Sequence, residues 1–323
     1  MIIKKLFLLA CFGALSGNAI AATYPEKPVK MVIGFGVGSA IDNTMRMVGE
    51  HFLAKTGQPI IVEARPGAAG NIAAEYVAKA PADGYTLMSG SVGMMTINNL
   101  LYPDISYDAK KDFDPIMLIS RQNLVLAVNG NIPVNTFEEL VEYEKKNPGK
   151  LSYASFGPGT ESHFLGVLVN KDTGTNMTHV PYKGSLPAVT DLLGGHVDVA
   201  YMPYGTVKAH QEAGKLKLLA VASDKRMDVA PDVPTFKELG YPNIEAYAWS
   251  GLVAPANLPK DRHDYLYKVF SDIMEIPAVK NKLIADGHEV KPNTTEEFNT
   301  MIEADRKRWK QAIEAANFSL KNN

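Results

Sequence analysis

The sequence predicts two α/β lobes joined by two crossing strands. Three observations carry this expectation. Strands, glycine-rich loops and helices alternate twice, once between Val29 and Gly93 and again between Lys150 and Ala222, the pattern of a mostly parallel sheet. Two β-rich stretches, 112–128 and 244–255, follow the two repeats. From Pro259 onward the chain is helical in pattern and has no glycine loops, which reads as packing helices returning to the first lobe.

The chain begins with a targeting segment. Lys4 and Lys5 precede an apolar run, Leu6 to Leu15, that is too short to span a bilayer. Ala19-Ile20-Ala21 offers small residues for cleavage after Ala21. Leu8-Leu9-Ala10-Cys11 has the look of a lipobox, but cutting there leaves too short an apolar core. Cys11 is the only cysteine, so the mature chain has no disulfide and no thiolate metal site. An exported chain without disulfides and without a second apolar span reads as a soluble bacterial periplasmic protein. The formal net charge is −2, and loss of Lys4 and Lys5 makes it −4. That mild charge gives no footprint for nucleic acid or an anionic membrane.

The first repeat opens on an apolar strand from Val29 to Ile33. Gly34, Gly36 and Gly38 follow, and Ser39-x-x-Asp42 is a capping-box variant that starts a helix. Strand, glycine loop and helix start make the layout of an anion site, because glycine admits a close approach and the first helical turn presents free N–H groups. A tight βα turn with nothing bound has the same sequence. The glycines match neither G-x-G-x-x-G nor a Walker loop. Pro59 to Glu63 is then a strand, Arg65 to Asn71 a glycine-rich turn, Ile72 to Ala80 a helix, Tyr85 to Met88 a strand and Ser89 to Gly93 a small-residue loop. In such sheets ligands sit beyond the carboxyl ends of the strands.

Asp112 to Val128 is β-rich with a polar interruption at Ser120 to Asn123, as two strands running on in one direction would be, one in each lobe. A helix over Pro133–Asn147 is capped by Thr136-x-x-Glu139. Lys150 to Phe156 is a strand that leads into the loop Gly157-Pro158-Gly159-Thr160-Glu161-Ser162-His163. Met177 to Val180, Val197 to Met202 and Lys217 to Ala222 are further strands. The helix Leu186–Leu193 ends at a Gly194-Gly195 cap signal. Ile244 to Pro255 is the second crossing. The resulting division is a leader at 1–21, a first lobe from 22–121 and 251–323, and a second lobe at 122–250, hinged near 120–123 and 247–251. Two α/β lobes on two crossings make a hinged binding protein.

Over essentially the whole mature chain, the sequence resembles the substrate-binding proteins of tripartite tricarboxylate transporters, the Bug family. The matching segments, in order, are Tyr24 to Pro28, Phe35 to Asp42, Glu63 to Asn71, Ala82 to Leu87, Asn147 to Ser155, His179 to Gly184 and Ala230 to Thr235. The resemblance implies a type II periplasmic binding protein fold, no catalysis, no cofactor, and delivery of a small carboxylate to the large and small inner-membrane transporter subunits by a monomer. It also implies that backbone groups of the loops at Phe35–Asp42, Ala68–Asn71 and Gly157–His163 line the site. Two departures stand out. Ser39 occupies a position that is glycine in the family pattern. Tyr201-Met202-Pro203-Tyr204 replaces an aromatic followed by Asp-Asn, which argues against an amino-acid ligand and for one with an apolar or aromatic distal part.

The candidate ligand-binding residues are Phe35, Gly36, Val37, Gly38, Ser39 and Asp42 of the first loop; Ala68 and Ala69 of the second; Ser91; Phe156, Gly157, Thr160 and His163; Tyr182; and Pro203 with Tyr204. Each has a structural reading beside it. Asp42 would repel a carboxylate when ionised and better serves the helix start. Ser39 is a plain cap or a cap that also reaches ligand. Thr160 and Ser162 are caps near the pocket. His163 is a buried structural group or a contact, and Lys183 a solvated loop lysine or a partner for a second carboxylate. Trp249 is hinge packing or a stacking platform. The histidines show no metal spacing. The competing reading as a secreted hydrolase lacks G-x-S-x-G, since Ser89 stands where the first glycine is needed before Ser91. A ligand-presenting partner of a periplasmic sensor kinase is the alternative to transport.

Overall fold

The computed structural model of the 323-residue chain describes residues 24–315 with Phe318 and Ser319. The leader at 1–21 and Cys11 lie outside the described residues. In chain order the first repeat forms β1 (Val29–Ile33), α1 (Ala40–Thr56), β2 (Ile60–Ala64), a 3-10 turn at Ala68–Gly70, α2 (Asn71–Ala78) and β3 (Thr86–Ser91). A π-helical turn, Gly93–Ile97, continues into α3 (Asn98–Leu101), a helix with no signal in the local pattern. Next come β4 (Phe113–Asn129), α4 (Phe137–Lys146), β5 (Ser152–Ser155), α5 (Glu161–Thr173), β6 (Thr178–Pro181), α6 (Ser185–Gly194), β7 (Val199–Pro203), α7 (Tyr204–Glu212) and β8 (Leu216–Val221). The tail adds β9 (Tyr247–Pro255), α8 (Lys260–Met274), α9 (Pro277–Ala285), β10 (His288–Glu289) and α10 (Thr295–Ala315).

In the first lobe β1 pairs in parallel with β2 and β3, and β9 runs antiparallel to β3 and to the first part of β4. In the second lobe the end of β4 pairs antiparallel with β7 and β8, while β7, β5 and β6 run parallel. The predicted polar interruption at 120–123 is no break. β4 is one strand of 17 residues that changes partners: Asn123 still faces Tyr247 of β9, and Leu124 already faces Pro203 of β7. The polar residues there have work on the sheet faces. Ser120 hydrogen-bonds His288 at 2.9 Å, and Arg121 stacks on Tyr247 with its guanidinium 3.7 Å from the ring centre.

The alternation of β1 decides which core each residue joins. Met31 and Ile33 pack with Phe52 of α1 and Phe270 of α8, while Val32 faces the opposite cluster with Met88 and Met94. That second cluster continues through Leu124–Val128 into Tyr153, Phe164 and Tyr201 of the second lobe. Helix α10 belongs to both sides: Phe298 packs edge-on against Trp249, and Trp309 lies 5.5 Å from Phe164 of α5. The tail helices therefore do more than return to the first lobe.

Candidate functional site

Four helices begin at one cavity between the lobes. Its wall takes Ser39, Ala40 and Ile41 from the start of α1, Glu161 from the start of α5, Ser185 from the start of α6, and Pro203 just before α7. Ser91, at the end of β3, and Gln122, Ala248 and Trp249, on the two crossing strands, complete it with the rings of Phe35 and Phe156. The empty space is about 420 Å³, part of it open to solvent. The convergence is sequence-made. The turns before α1, α5 and α6 carry glycine or a capping residue, while α7 follows Pro203 directly, and each helix points its N–H groups and positive dipole end at the same place.

The first loop is built as its spacing predicts. Ser39 Oγ accepts from the Asp42 N–H at 3.3 Å, and Asp42 reciprocates one residue further out by accepting from the Gly38 N–H at 2.9 Å. Gly38 needs its glycine, with φ at +81°. Asp42 is buried and also holds Arg46, with Nε 3.1 Å from Oδ2 and Nη2 2.9 Å from Oδ1. Its carboxylate is thus committed to the helix start, and it does not line the cavity. Val37 lies at the exposed tip of the loop, 67 % accessible. Gly36 comes close to the backbone of Lys183 in the other lobe.

Phe35 and Phe156 meet edge to face across the cleft with centroids 6.0 Å apart. They share a second chamber on their other side, lined by Ala68, Ala69, Gly157, Tyr182 and Lys183 among others. Here Gly67, Ala68, Ala69 and Gly70 all have positive φ (127°, 46°, 53° and 89°). For the two alanines that conformation costs about 1 kcal/mol or more each. The turn is closed by the Gly70 N–H, which donates to Gly67 O at 2.9 Å. Tyr182 donates to Asp191 at 2.7 Å, and burial with that bond pushes its hydroxyl up to about 12.

Three further candidates sit behind the wall. Thr160 spends its hydroxyl on Gly157 O at 2.7 Å and caps the His163 N–H at 3.4 Å. His163 accepts from the Gly159 N–H at 3.1 Å and stacks on His179 with centroids 3.6 Å apart. Burial first, then the His179 ring, pushes His163 down to about 3, so it stays neutral. Tyr204 is buried and donates to Val229 O at 3.2 Å. Met202 is fully buried in β7 opposite Val125 and does not line the cavity. Its replacement of a family Asp therefore says nothing about the ligand, and the expectation drawn from it is withdrawn.

Three polar members of the wall were not singled out in the sequence: Gln122, Glu161 and Ser185. Trp249, on the second crossing, lines the cavity, and its indole N–H donates to Asp305 at 2.8 Å. Asp305 also accepts from Tyr247 at 2.6 Å, with Arg308 beside it at 3.3 Å. Gln122, Glu161 and Ser185 are buried, face the cavity, and make no side-chain hydrogen bond to any other described residue. Burial first, then the nearby Asp305 charge, pushes the Glu161 carboxyl up to about 7, although its own backbone N–H works the other way. No lysine, arginine or histidine lines this cavity.

Two lobes on two crossing strands, closed over a cavity fed by helix N-termini, define a type II periplasmic solute-binding protein. A family profile described as the tripartite tricarboxylate transporter family receptor matches residues 44–318, and the chain belongs to that family of Bug-type receptors. Among its relatives, Protein BugT of Bordetella pertussis is 32% identical over 324 residues, covering 98% of this chain and 99% of that one. The solved periplasmic binding protein BugD superposes with a TM-score of 0.87 at 34% identity, covering 92% of this chain and 99% of BugD. The R. palustris protein Rpa4515 with adipate gives a TM-score of 0.88 at 31% identity, covering 92% and 99% of the two chains. MatC from Rhodopseudomonas palustris with bound malate gives 0.85 at 29%, covering 90% and 100%.

Proposed function

We propose that this chain captures a small organic carboxylate, a dicarboxylate or an aromatic acid, in the cavity between its lobes. It hands that ligand, in the periplasm, to the large and small membrane subunits of a tripartite tricarboxylate-type transporter. The observation that carries the reading is the meeting of four helix starts at a cavity where Gln122, Glu161 and Ser185 have no side-chain partner among the described residues and whose wall holds no cation. An anion there is held by backbone N–H groups, the serines and Gln122. A few charge-assisted hydrogen bonds, at about 1.5–3 kcal/mol each, with apolar burial against Phe35, Phe156 and Trp249, reach the roughly 8 kcal/mol of micromolar affinity. Adipate and malate, seen with two structural relatives, are acids of the size expected.

The ligand contacts in this reading are Phe35, Ser39, Ser91, Phe156 and Pro203, joined by Gln122, Glu161, Ser185 and Trp249. The strained Ala68–Ala69 turn serves a second anionic group. The lobes turn about the point where β4 and β9 change partners, near Asn123 and Tyr247. No step of catalysis and no metal is invoked; the described residues contain no cluster of three His, Cys, Asp or Glu groups fit to hold an ion.

A thermal-shift screen of the purified mature protein against mono-, di- and tricarboxylates, aromatic acids and amino acids tests the reading. A ligand at one hundred times its Kd adds about 2.7 kcal/mol, a shift of several degrees. Stabilisation by dicarboxylates or aromatic acids is expected; stabilisation by amino acids alone would overturn the choice of ligand.

A further inference from the structure

The wall of the cavity contains an acid where a site for acids would be expected to avoid one. Glu161 is the first residue of α5, is 3 % accessible and faces the space that the proposed ligand fills. None of the other wall residues carries a titratable side chain. From α10, Asp305 bears on Glu161 with the same sign of charge. Arg308 stands beside Asp305, and Tyr247 of β9 donates to it. Arg121 of β4 is stacked on the far partner, Tyr247. His163, on the same helix as Glu161, has its ring turned to Gly159 and His179. No base therefore reaches Glu161.

Two carboxylates crowded into one cleft with no cation between them raise one another's pKa, so that one of them takes a proton more readily. Resting on the carboxylate reading above, we propose that Glu161 recognises the ligand as a proton donor: its neutral carboxyl hydrogen-bonds one ligand carboxylate oxygen, so the anion enters together with one proton. The helix N–H groups serve the remaining oxygens. This makes Glu161 a specificity-determining residue. It selects a carboxylate with an uncharged body and disfavours one whose ammonium would call for the ionised glutamate. The raised pKa of Glu161, near neutrality, keeps the protonated form at hand. Above that pH each binding event must draw its proton from solvent, and affinity falls by up to tenfold per pH unit.

The test is calorimetry with adipate, malate and benzoate as probes at pH 6.5 and 8.5, each in two buffers of different ionisation heat. Carboxyl-carbon NMR of the ligand-free protein, with the Glu161 resonance identified by its loss in Glu161→Gln, reads the group directly. The expected result is uptake of about one proton per bound ligand at pH 8.5, and a Kd roughly twentyfold weaker than at pH 6.5, the limit set by linkage to one group near 7. Glu161→Gln, which keeps the shape and always donates, should bind with the same Kd at both values and take up no proton. A pH-independent Kd in the wild type, or a Glu161 resonance that titrates in the ordinary carboxylate range without ligand, overturns the inference and leaves the carboxylate site standing. An amino acid that binds with release of a proton overturns it in favour of an ionised Glu161. Should no probe bind either protein at either pH, the carboxylate reading falls and takes this inference with it.

Discussion

Glu161 also leaves a mark on stability that needs no ligand. Its carboxyl moves from an ordinary 4.5 when unfolded to about 7 when folded. The folded state then holds a proton that the unfolded chain has released, so stability is lost as pH rises from about 4.5 to 7 and the penalty is complete above it. Glu161→Gln should match the wild type at pH 4 and exceed it at pH 8 by on the order of 3 kcal/mol; urea unfolding at both values measures this, and equal midpoints at pH 8 would refute it. The histidines act with the opposite sign. Burial lowers His179 and His288 to about 4, so they contribute stability above about 6.5 that is lost as pH falls toward 4. His179→Gln should flatten the acid limb by up to about 1.4 kcal/mol per pH unit, read as the slope of unfolding free energy between pH 6 and 4.5. An unchanged slope would mean that His179 is not held neutral by the fold. Residues whose role follows from local spacing were legible in the sequence, among them Ser39 as cap and Phe35 beside the glycine loop. Glu161 was hidden because an acid in a first helical turn is ordinary dipole chemistry, and only tertiary closure turns it toward a cavity. Gln122 was hidden in the same way, since it reads as a polar break in a strand.

At the scale of elements, what decides the packing of α10 is a missing side chain. Gly251 of β9 lies under the ring of Phe298, and a Cβ there would collide with it. Gly251→Ala should therefore cost about 1–3 kcal/mol by overpacking and loosen the helix that also carries Asp305. Denaturation midpoints test the first part, and loss of the Trp249–Asp305 hydrogen bond, seen as a shift of the indole N–H resonance, tests the second. A neutral substitution would show that α10 can slide. The helices α1, α4, α5 and α6 were foreseeable from caps and glycine stops. Helix α7 and strand β10 were not. Tyr204 to Glu212 follows Pro203 without a side-chain cap, and His288–Glu289 is a strand only because Gln122 and Arg121 offer it an edge. Such elements are set by neighbours far away in the chain, which local pattern does not encode.

For the whole molecule, the lobes meet behind the cleft through Trp309 on Phe164 and Lys208 donating to Ala285 O at 2.9 Å, and at the cleft itself through two contacts. Phe35 meets Phe156, and Tyr102 donates to Pro158 O at 2.8 Å. An edge-to-face pair is worth about 0.5–1.5 kcal/mol beyond its buried area, so Phe156→Ala should shift the free protein toward an open form. The expected signs are a larger radius of gyration in solution scattering and a ligand affinity several-fold weaker. A variant as compact as the wild type would mean that the rings do not hold the cleft shut. The two-lobe plan itself was readable from the doubled pattern of strand, glycine loop and helix, whereas the depth of α10 between the lobes was not.

The change of partners along β4 has a last consequence. The chain leaves the first sheet after Asn123 and re-enters it at Tyr247, and those two residues face each other on antiparallel strands. Everything between them is a cassette whose entrance and exit are one doorway. A two-residue hairpin turn such as Asn-Gly could seal that doorway, with Trp309 and Phe318, which pack on Phe164, changed to polar residues. The same doorway would accept the corresponding segment of a relative, so new ligand preferences can arise by grafting one contiguous stretch of gene, without redesigning the lobe that receives it.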